Sequence, residues 1–229
     1  MDLPAPRCLP SRTMAFPGWS TAAVEFYEGL EAENSKTYWL AHKETYDNLV
    51  RQPMEELLTE LAPEFGAGKI FRPYRDVRFS ADKSPYKTSI AATLAEGGYI
   101  QFSADGLAAG AGMYAASSDQ LERFRAAVDD DRSGRSLERI VTEVRAAGIT
   151  LSGHDTLKTA PRGYTKDHPR IELLRYKGLV TWQEWPAADW LDAPRAKDRV
   201  AEFFRHSAPL QGWLAEHVGP AQTSEARQR

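Results

Sequence analysis

Residues 88 to 114 read TSIAATLAEGGYIQFSADGLAAGAGMY, three runs of strand-type residues punctuated by turn pairs. The runs are 88–94, 99–103 and 107–114, and Gly97-Gly98 and Asp105-Gly106 separate them. Short alternating runs bounded by glycine-containing pairs predict antiparallel strands joined by tight turns. A further run over 70–79 precedes them, with Ser84-Pro85 in the connection, and LVTWQEW at 179–185 follows. The centre of the chain therefore predicts an antiparallel meander of about four to five strands, an ordinary sheet size.

Helical spacing brackets this sheet. From Ser20, the positions Val24, Phe26, Tyr27 and Leu30 form one apolar stripe, and Ser35 is placed to cap a second helix carrying Tyr38, Trp39, Leu40, Tyr46, Leu49 and Val50. Pro53 either kinks that helix or opens a third with Leu57, Leu58 and Leu61 inward. Tyr38 and Trp39 read as core residues. Beyond the meander, Asp119 and Glu122 have capping-box spacing ahead of Leu121, Phe124 and Val128. The polar DDDRSGRS then reads as a loop before the stripe Leu137, Ile140, Val141, Val144, which Gly148 ends. Pro169 and Gly178 bracket a short helix, and Val200, Phe203, Phe204, Leu210, Trp213 and Leu214 mark a last helix, or a pair broken at Pro209.

Helices before and after one antiparallel sheet define the α+β class. One domain is expected over 16–218, with a disordered leader over 1–15 and a disordered tail over 219–229. The chain has 229 residues, 42% hydrophobic and 27% charged, with a net charge of −3; these values suit a globular core and argue against a uniformly basic nucleic-acid-binding surface. The single cysteine, Cys8, has no intrachain partner, as expected of a protein from a reducing cytoplasm. No run of 18 apolar residues occurs, so no membrane partner is expected.

Against that mildly acidic background, FRPYRDVRFSADKSPYK at 71–87 is an anomaly. Between Lys69 and Thr88 lie six basic residues and two acidic ones, a local charge of +4, so the other 209 residues sum to −7. As a strand, 71–79 would place Arg72, Tyr74, Asp76 and Arg78 on one face and Arg75 on the apolar other, where its guanidinium needs a paired acceptor. Lys83 and Lys87 follow in a turn fixed by Ser84-Pro85, with Asp82 positioned to bond the backbone there. A second basic segment, LKTAPRGYTKDHPR, supplies Lys158, Arg162, Lys166, His168 and Arg170. Gly110 and Gly112 are not followed by the helix that a phosphate loop requires; small residues on a strand instead admit close packing by a helix or ligand. The five histidines and one cysteine show no metal-ligand spacing.

The Tyr74-to-Ser80 run, with Asp82-Lys83 and Pro85-Tyr86-Lys87-Thr88, resembles the family known as domain of unknown function 2461. The likeness extends over most of 16–215. It includes Tyr38-Trp39, Leu157-Lys158, Pro161-Arg162-Gly163-Tyr164 and Asp167-His168-Pro169. The resemblance implies no particular activity, cofactor or substrate. It does imply a glycine-richer strand where this chain has GLAAGAGMY, so Ala108, Ala109 and Ala111 would narrow any space there.

The leading expectation is a site for an anionic small molecule, phosphorylated in the first instance. Arg72, Tyr74, Arg75, Arg78, Asp82, Lys83, Tyr86 and Lys87 would bind it, joined by Lys158 and Arg162 if the second segment folds over the first. Asp76 would orient an arginine or act as base, and His168 would be the titrating group. Two alternatives use the same residues: a nucleic-acid groove with Tyr74 and Tyr86 as stacking faces, and a structural ion-pair network without a ligand. Neither a cofactor nor an oligomeric state follows from the sequence.

Overall fold

The computed structural model describes residues 15–78, 80–153, 155–192 and 195–222. Leader residues 1–14 and tail residues 223–229 lie outside that range, as do Phe79 and His154. Within it, six strands form one antiparallel sheet in the order β1-β2-β3-β4-β6-β5. They are β1 (Gly68–Ile70), β2 (Ser89–Leu94), β3 (Gly98–Ser103), β4 (Gly106–Met113), β5 (Thr150–Ser152) and β6 (Leu179–Pro186). The meander is thus present as expected, extended by β6 beside β4 and by the short β5 at the far edge. Tight turns join β2 to β3 and β3 to β4. Gly106 has φ 120°, and a Cβ there would lie 2.3 Å from the Trp185 carbonyl oxygen, so only glycine fits where β4 begins.

One face of the sheet is core. Ile90, Ala92, Ile100, Phe102, Leu107, Ala109, Ala111, Leu179 and Thr181 are all buried there. On this side pack α4 (Gln52–Phe65), against β1 and β2, and α8 (Arg195–His217), across β4. Ion pairs Glu60–Lys197 at 2.8 Å and Glu64–Arg205 at 2.7 Å tie these two helices together. Helix α8 runs unbroken through Pro209. Its buried Ser207 hydrogen-bonds Thr181 at 2.8 Å, and Thr181 also donates to the Ala111 carbonyl oxygen.

The N-terminal helices are α1 (Thr21–Ala32), α2 (Lys36–Ala41) and the single turn α3 (Lys43–Thr45). A π-helical turn, Tyr46–Arg51, then leads into α4. Ser35 caps α2 by accepting from the Tyr38 amide at 3.0 Å, and Pro53 sits in the first turn of α4, directly after the π-helical turn, so it opens α4 without interrupting the helical backbone. The Trp19 ring stacks on Phe102 at 4.7 Å and joins the chain start to the sheet.

Helices α5 (Ser118–Asp129) and α6 (Asp131–Ala146) follow the meander, and the one-turn α7 (Ile171–Leu174), between Pro169 and Gly178 as expected, precedes β6. The capping box is Ser117 with Gln120, two residues earlier than the expected Asp119 and Glu122, because Ser117 is the residue with extended backbone and a hydroxyl that accepts from the Gln120 amide. DDDRSGRS is not a loop. Asp130 accepts from the Arg132 and Ser133 amides at 3.0 and 2.9 Å and starts α6 at once. The first tail residues are also docked: Gln120 and Arg123 donate to the Gly219, Val218 and Pro220 carbonyls, and Gln222 bonds Asp119.

The expected strand over 70–79 ends at Ile70. Pro73 has no amide to give to a ladder, so the two arms pair instead through Arg75 N–H to Pro85 O (2.9 Å) and Lys87 N–H to Pro73 O (2.8 Å). The Asn34 side chain, in the turn between α1 and α2, grips the returning arm. Its amide donates to the Tyr86 carbonyl and its oxygen accepts from the Tyr86 N–H, both at 3.0 Å. Trp39 stacks on the Tyr86 ring at 4.4 Å. Asn34→Ala leaves both Tyr86 backbone groups without these partners and is expected to lower unfolding free energy by about 1–3 kcal/mol. Urea denaturation checks this, and an unchanged midpoint would contradict it.

Candidate functional site

The segment from Phe71 to Thr88 is a long excursion between β1 and β2, with its tip at 76–84. Two of its arginines are spent on its own carboxylates. Arg78 meets Asp76 with two nearly parallel bonds, Nε to Oδ1 at 2.9 Å and Nη2 to Oδ2 at 2.6 Å, the geometry that suits a guanidinium to a carboxylate. Arg75 pairs with Asp82, the acceptor its position demanded, although it is half-exposed and lies on no apolar face. Asp82 also accepts from the Ser84 amide at 2.9 Å and the Ser84 hydroxyl at 2.6 Å. The Arg78 hydrogen bonds, with Arg72 adding positive potential, hold the Asp76 carboxyl down at about 2. The Ser84 bonds, then Arg75, do the same for Asp82.

Four cations remain. Among the described residues, no ion pair joins Lys69, Arg72, Lys83 or Lys87 to a carboxylate. The Lys83 ammonium donates to the Val77 carbonyl at 3.0 Å, folding across the tip. That of Lys87 lies 5.4 Å from the centre of the Phe71 ring. Tyr74 is half-exposed beside Tyr86, whereas Tyr86 itself is buried between Trp39 and Tyr74. Tyr86 therefore anchors the segment and has no free face for stacking.

The second basic segment is fixed elsewhere. It follows β5 at the opposite edge of the sheet from β1 and is tied down by the Thr156–Tyr176 bridge and by α5. His168 Nδ1 accepts from the Arg170 amide at 3.0 Å, so the Nε2 proton faces Asp129 Oδ1 at 2.9 Å. Arg170 is buried and donates to the Val128 and Asp129 carbonyls at the end of α5. Lys158 and Arg162 are exposed on this same loop, and the Lys158 carbonyl accepts from Arg175 at 2.7 Å. The structure thus brings together Arg72, Tyr74, Arg75, Asp76, Arg78, Asp82, Lys83, Tyr86 and Lys87. It anchors Lys158, Arg162 and His168 apart from them.

Sequence reasoning missed the other face of the sheet. Register places Lys69, Thr93, Tyr99, Gly110 and Trp182 in one row across five strands. Gln101 and Ala108 lie in the next row. A hollow of about 730 Å³ opens here, lined by Thr93, Tyr99, Gln101, Gly110, Tyr114 and Trp182 among others. Gly110 and Gly112 put no side chain into it, and the Trp182 ring leans over Gly110, where a Cβ would stand 2.8 Å from it. Of the three alanines expected to narrow this strand, only Ala108 lies on the open side; Ala109 and Ala111 point into the core. The signal was present as aromatic and polar residues at alternate positions of 99–103 and 180–184. It becomes legible only once β4 is known to lie between those strands.

The hollow and the basic segment adjoin. Phe71 continues the β1 pairing through its amide to the Ala91 carbonyl at 2.9 Å, and its ring centre is 6.5 Å from that of Tyr99. Tyr99 in turn lies 6.0 Å from Trp182.

A family model described as a conserved hypothetical protein, domain of unknown function 2461, matches residues 22–213, and the chain belongs to that family. No curated protein and no solved structure matches it. Among the described residues no cluster of histidine, cysteine and acidic side chains could hold a metal ion, and no helix is long and apolar enough to cross a membrane.

The lowered carboxyl groups give the tip a pH dependence of definite sign. Each group's folded value, about 2, is below its ordinary 3.8. The folded state therefore resists protonation, and the support is complete above about pH 4 and lost as pH falls through 2. Side-chain carboxyl NMR should show both aspartates titrating near 2. Arg78→Gln should return Asp76 toward the ordinary range while leaving Asp82 low, and Ser84→Ala should do the reverse. Ordinary titration of both in the unsubstituted protein would contradict the pairing.

Proposed function

We propose that the protein binds a small anionic molecule, a phosphate or carboxylate compound, at the segment from Lys69 to Thr88. One observation carries this: Lys69, Arg72, Lys83 and Lys87 have no carboxylate partner among the described residues, on a segment whose backbone Asn34 and Trp39 pin in place. Cations in excess of the local carboxylates repel one another, and an oxyanion entering between them relieves that repulsion while accepting several charge-assisted hydrogen bonds. The two paired arginines contribute order more than charge. With its carboxyl held at about 2, Asp76 is a weak proton acceptor at neutral pH and is better suited to orienting Arg78 than to acting as a base. His168, anchored at the other edge with both ring nitrogens engaged, has no part in this binding.

Titration calorimetry with inorganic phosphate at low ionic strength tests the proposal. Arg72→Ala and Lys87→Ala should each weaken binding by roughly tenfold, the loss of one charge-assisted bond. Lys158→Ala and Arg162→Ala should leave binding unchanged. Equal effects from all four substitutions, or no binding, would overturn the assignment. Tight binding of a single-stranded oligonucleotide that falls steeply with salt would instead favour a nucleic-acid groove.

A further inference from the structure

The hollow on the open sheet face is separate from the charged tip, yet an unbroken row of rings leads from one to the other. The Lys87 ammonium stands 5.4 Å from the centre of Phe71; Phe71 is 6.5 Å from Tyr99, and Tyr99 is 6.0 Å from Trp182. Gly110 lies beneath the last of these rings: a Cβ there would meet the Trp182 indole at 2.8 Å, so the missing side chain lets that ring settle onto the backbone of β4. The polar tips of both walls are already satisfied. Tyr99 donates to Gln101 and Trp182 donates to Glu184, each at 2.8 Å, so what the walls offer a ligand is ring surface. The two rings meet with their centres 6.0 Å apart and form one continuous flat, apolar surface beside the hollow, and such a surface accepts a flat, apolar body, because planar rings bury the most area against it for the least lost torsional freedom.

The volume, about 730 Å³, lies within the range of small-molecule sites. A second copy of the chain is a poor occupant, since the same hollow on both partners would leave a void between them instead of a packed interface. Charge selects further. Lys69 stands on the open face in the same row as Thr93 and Tyr99, and Lys87 ends the row of rings, so the sheet beyond the Thr93 side of the hollow is cationic.

We infer that the ligand of this protein is an anionic planar aromatic compound of about nucleotide size, its ring system in the hollow against the Tyr99 and Trp182 rings and its anionic group at Lys69 and Lys87. The inference rests on the proposed anion site for the charged half and on the hollow alone for the ring half. A phosphorylated nucleoside and an aromatic carboxylate share this chemistry.

Calorimetry on the full chain with four probes separates the halves: adenosine 5′-monophosphate, adenosine, inorganic phosphate and 2-naphthoate. The monophosphate or the naphthoate should bind more tightly than inorganic phosphate, by about 5- to 100-fold for one stacked ring; which of the two binds more tightly identifies the anion. Trp182→Ala should remove that gain while leaving phosphate affinity as it was. Gly110→Val, which pushes a side chain toward the Trp182 ring, should do the same. Melting temperatures certify that each variant is folded, and the four-probe comparison on the unsubstituted protein needs no variant. Equal affinity for phosphate and both aromatic anions, or folded variants that keep the gain, would overturn the ring site and leave the anion site standing. Adenosine binding without phosphate binding would uphold the hollow and remove the anion site.

Discussion

Between Leu107 and Met113 strand β4 carries no side chain larger than a methyl group, and its neighbours are placed by that fact. Antiparallel pairing sends alternate residues to opposite faces. On the covered side Leu107, Ala109 and Ala111 leave room for α8 to lie close across the strand, fastened by the hydrogen bonds from Ser207 to Thr181 and from Thr181 to the Ala111 carbonyl. On the open side Gly110 and Gly112 leave a hollow that Tyr99 on β3 and Trp182 on β6 border. A bulky residue at 110 would collide with the Trp182 ring and fill the hollow. The same poverty of side chains thus seats the helix layer and opens the hollow.

The charged excursion between β1 and β2 has a different support. It contributes no continuous strand, and its order comes from outside: the Asn34 amide bonded twice to the Tyr86 backbone, and Trp39 stacked on the Tyr86 ring. Such an aromatic pair is worth about 0.5–1.5 kcal/mol beyond its buried area. With the arms held, the internal pairs Arg78–Asp76 and Arg75–Asp82 shape the tip. These pairs are exposed to solvent and contribute geometry more than stability. The charge left over after these pairs is what the proposed anion site rests on.

The sequence alone placed β2, β3, β4 and β6 to within a residue or two, because glycine turns and strand-type runs are strong local signals. It overran β1, since side-chain alternation continues past Pro73 although the ladder cannot. It missed β5, three residues with no full period to detect, and the π-helical turn at 46–51, whose altered hydrogen bonding leaves no mark on the spacing of apolar residues. The capping role of Asp130 was hidden in a polar run that resembles a loop. Of the candidate site, the excess of cations was legible by counting. The hollow was not, because Tyr99, Gly110 and Trp182 become neighbours only through the strand order, and no local pattern shows that β6 pairs with β4. The separation of Lys158, Arg162 and His168 from the first basic segment was unreadable for the same reason.

The central claim is that the cationic excursion and the open sheet face are two halves of one binding site. Backbone amide NMR of the isotope-labelled protein, titrated with adenosine 5′-monophosphate, tests it most directly. The account predicts concerted shifts, with a single saturation curve, at Lys69, Phe71, Arg72 and Lys87 on one side and at Tyr99, Gly110 and Trp182 on the other. Shifts confined to one of these groups, or centred on the loop that carries Lys158 and Arg162, would contradict it.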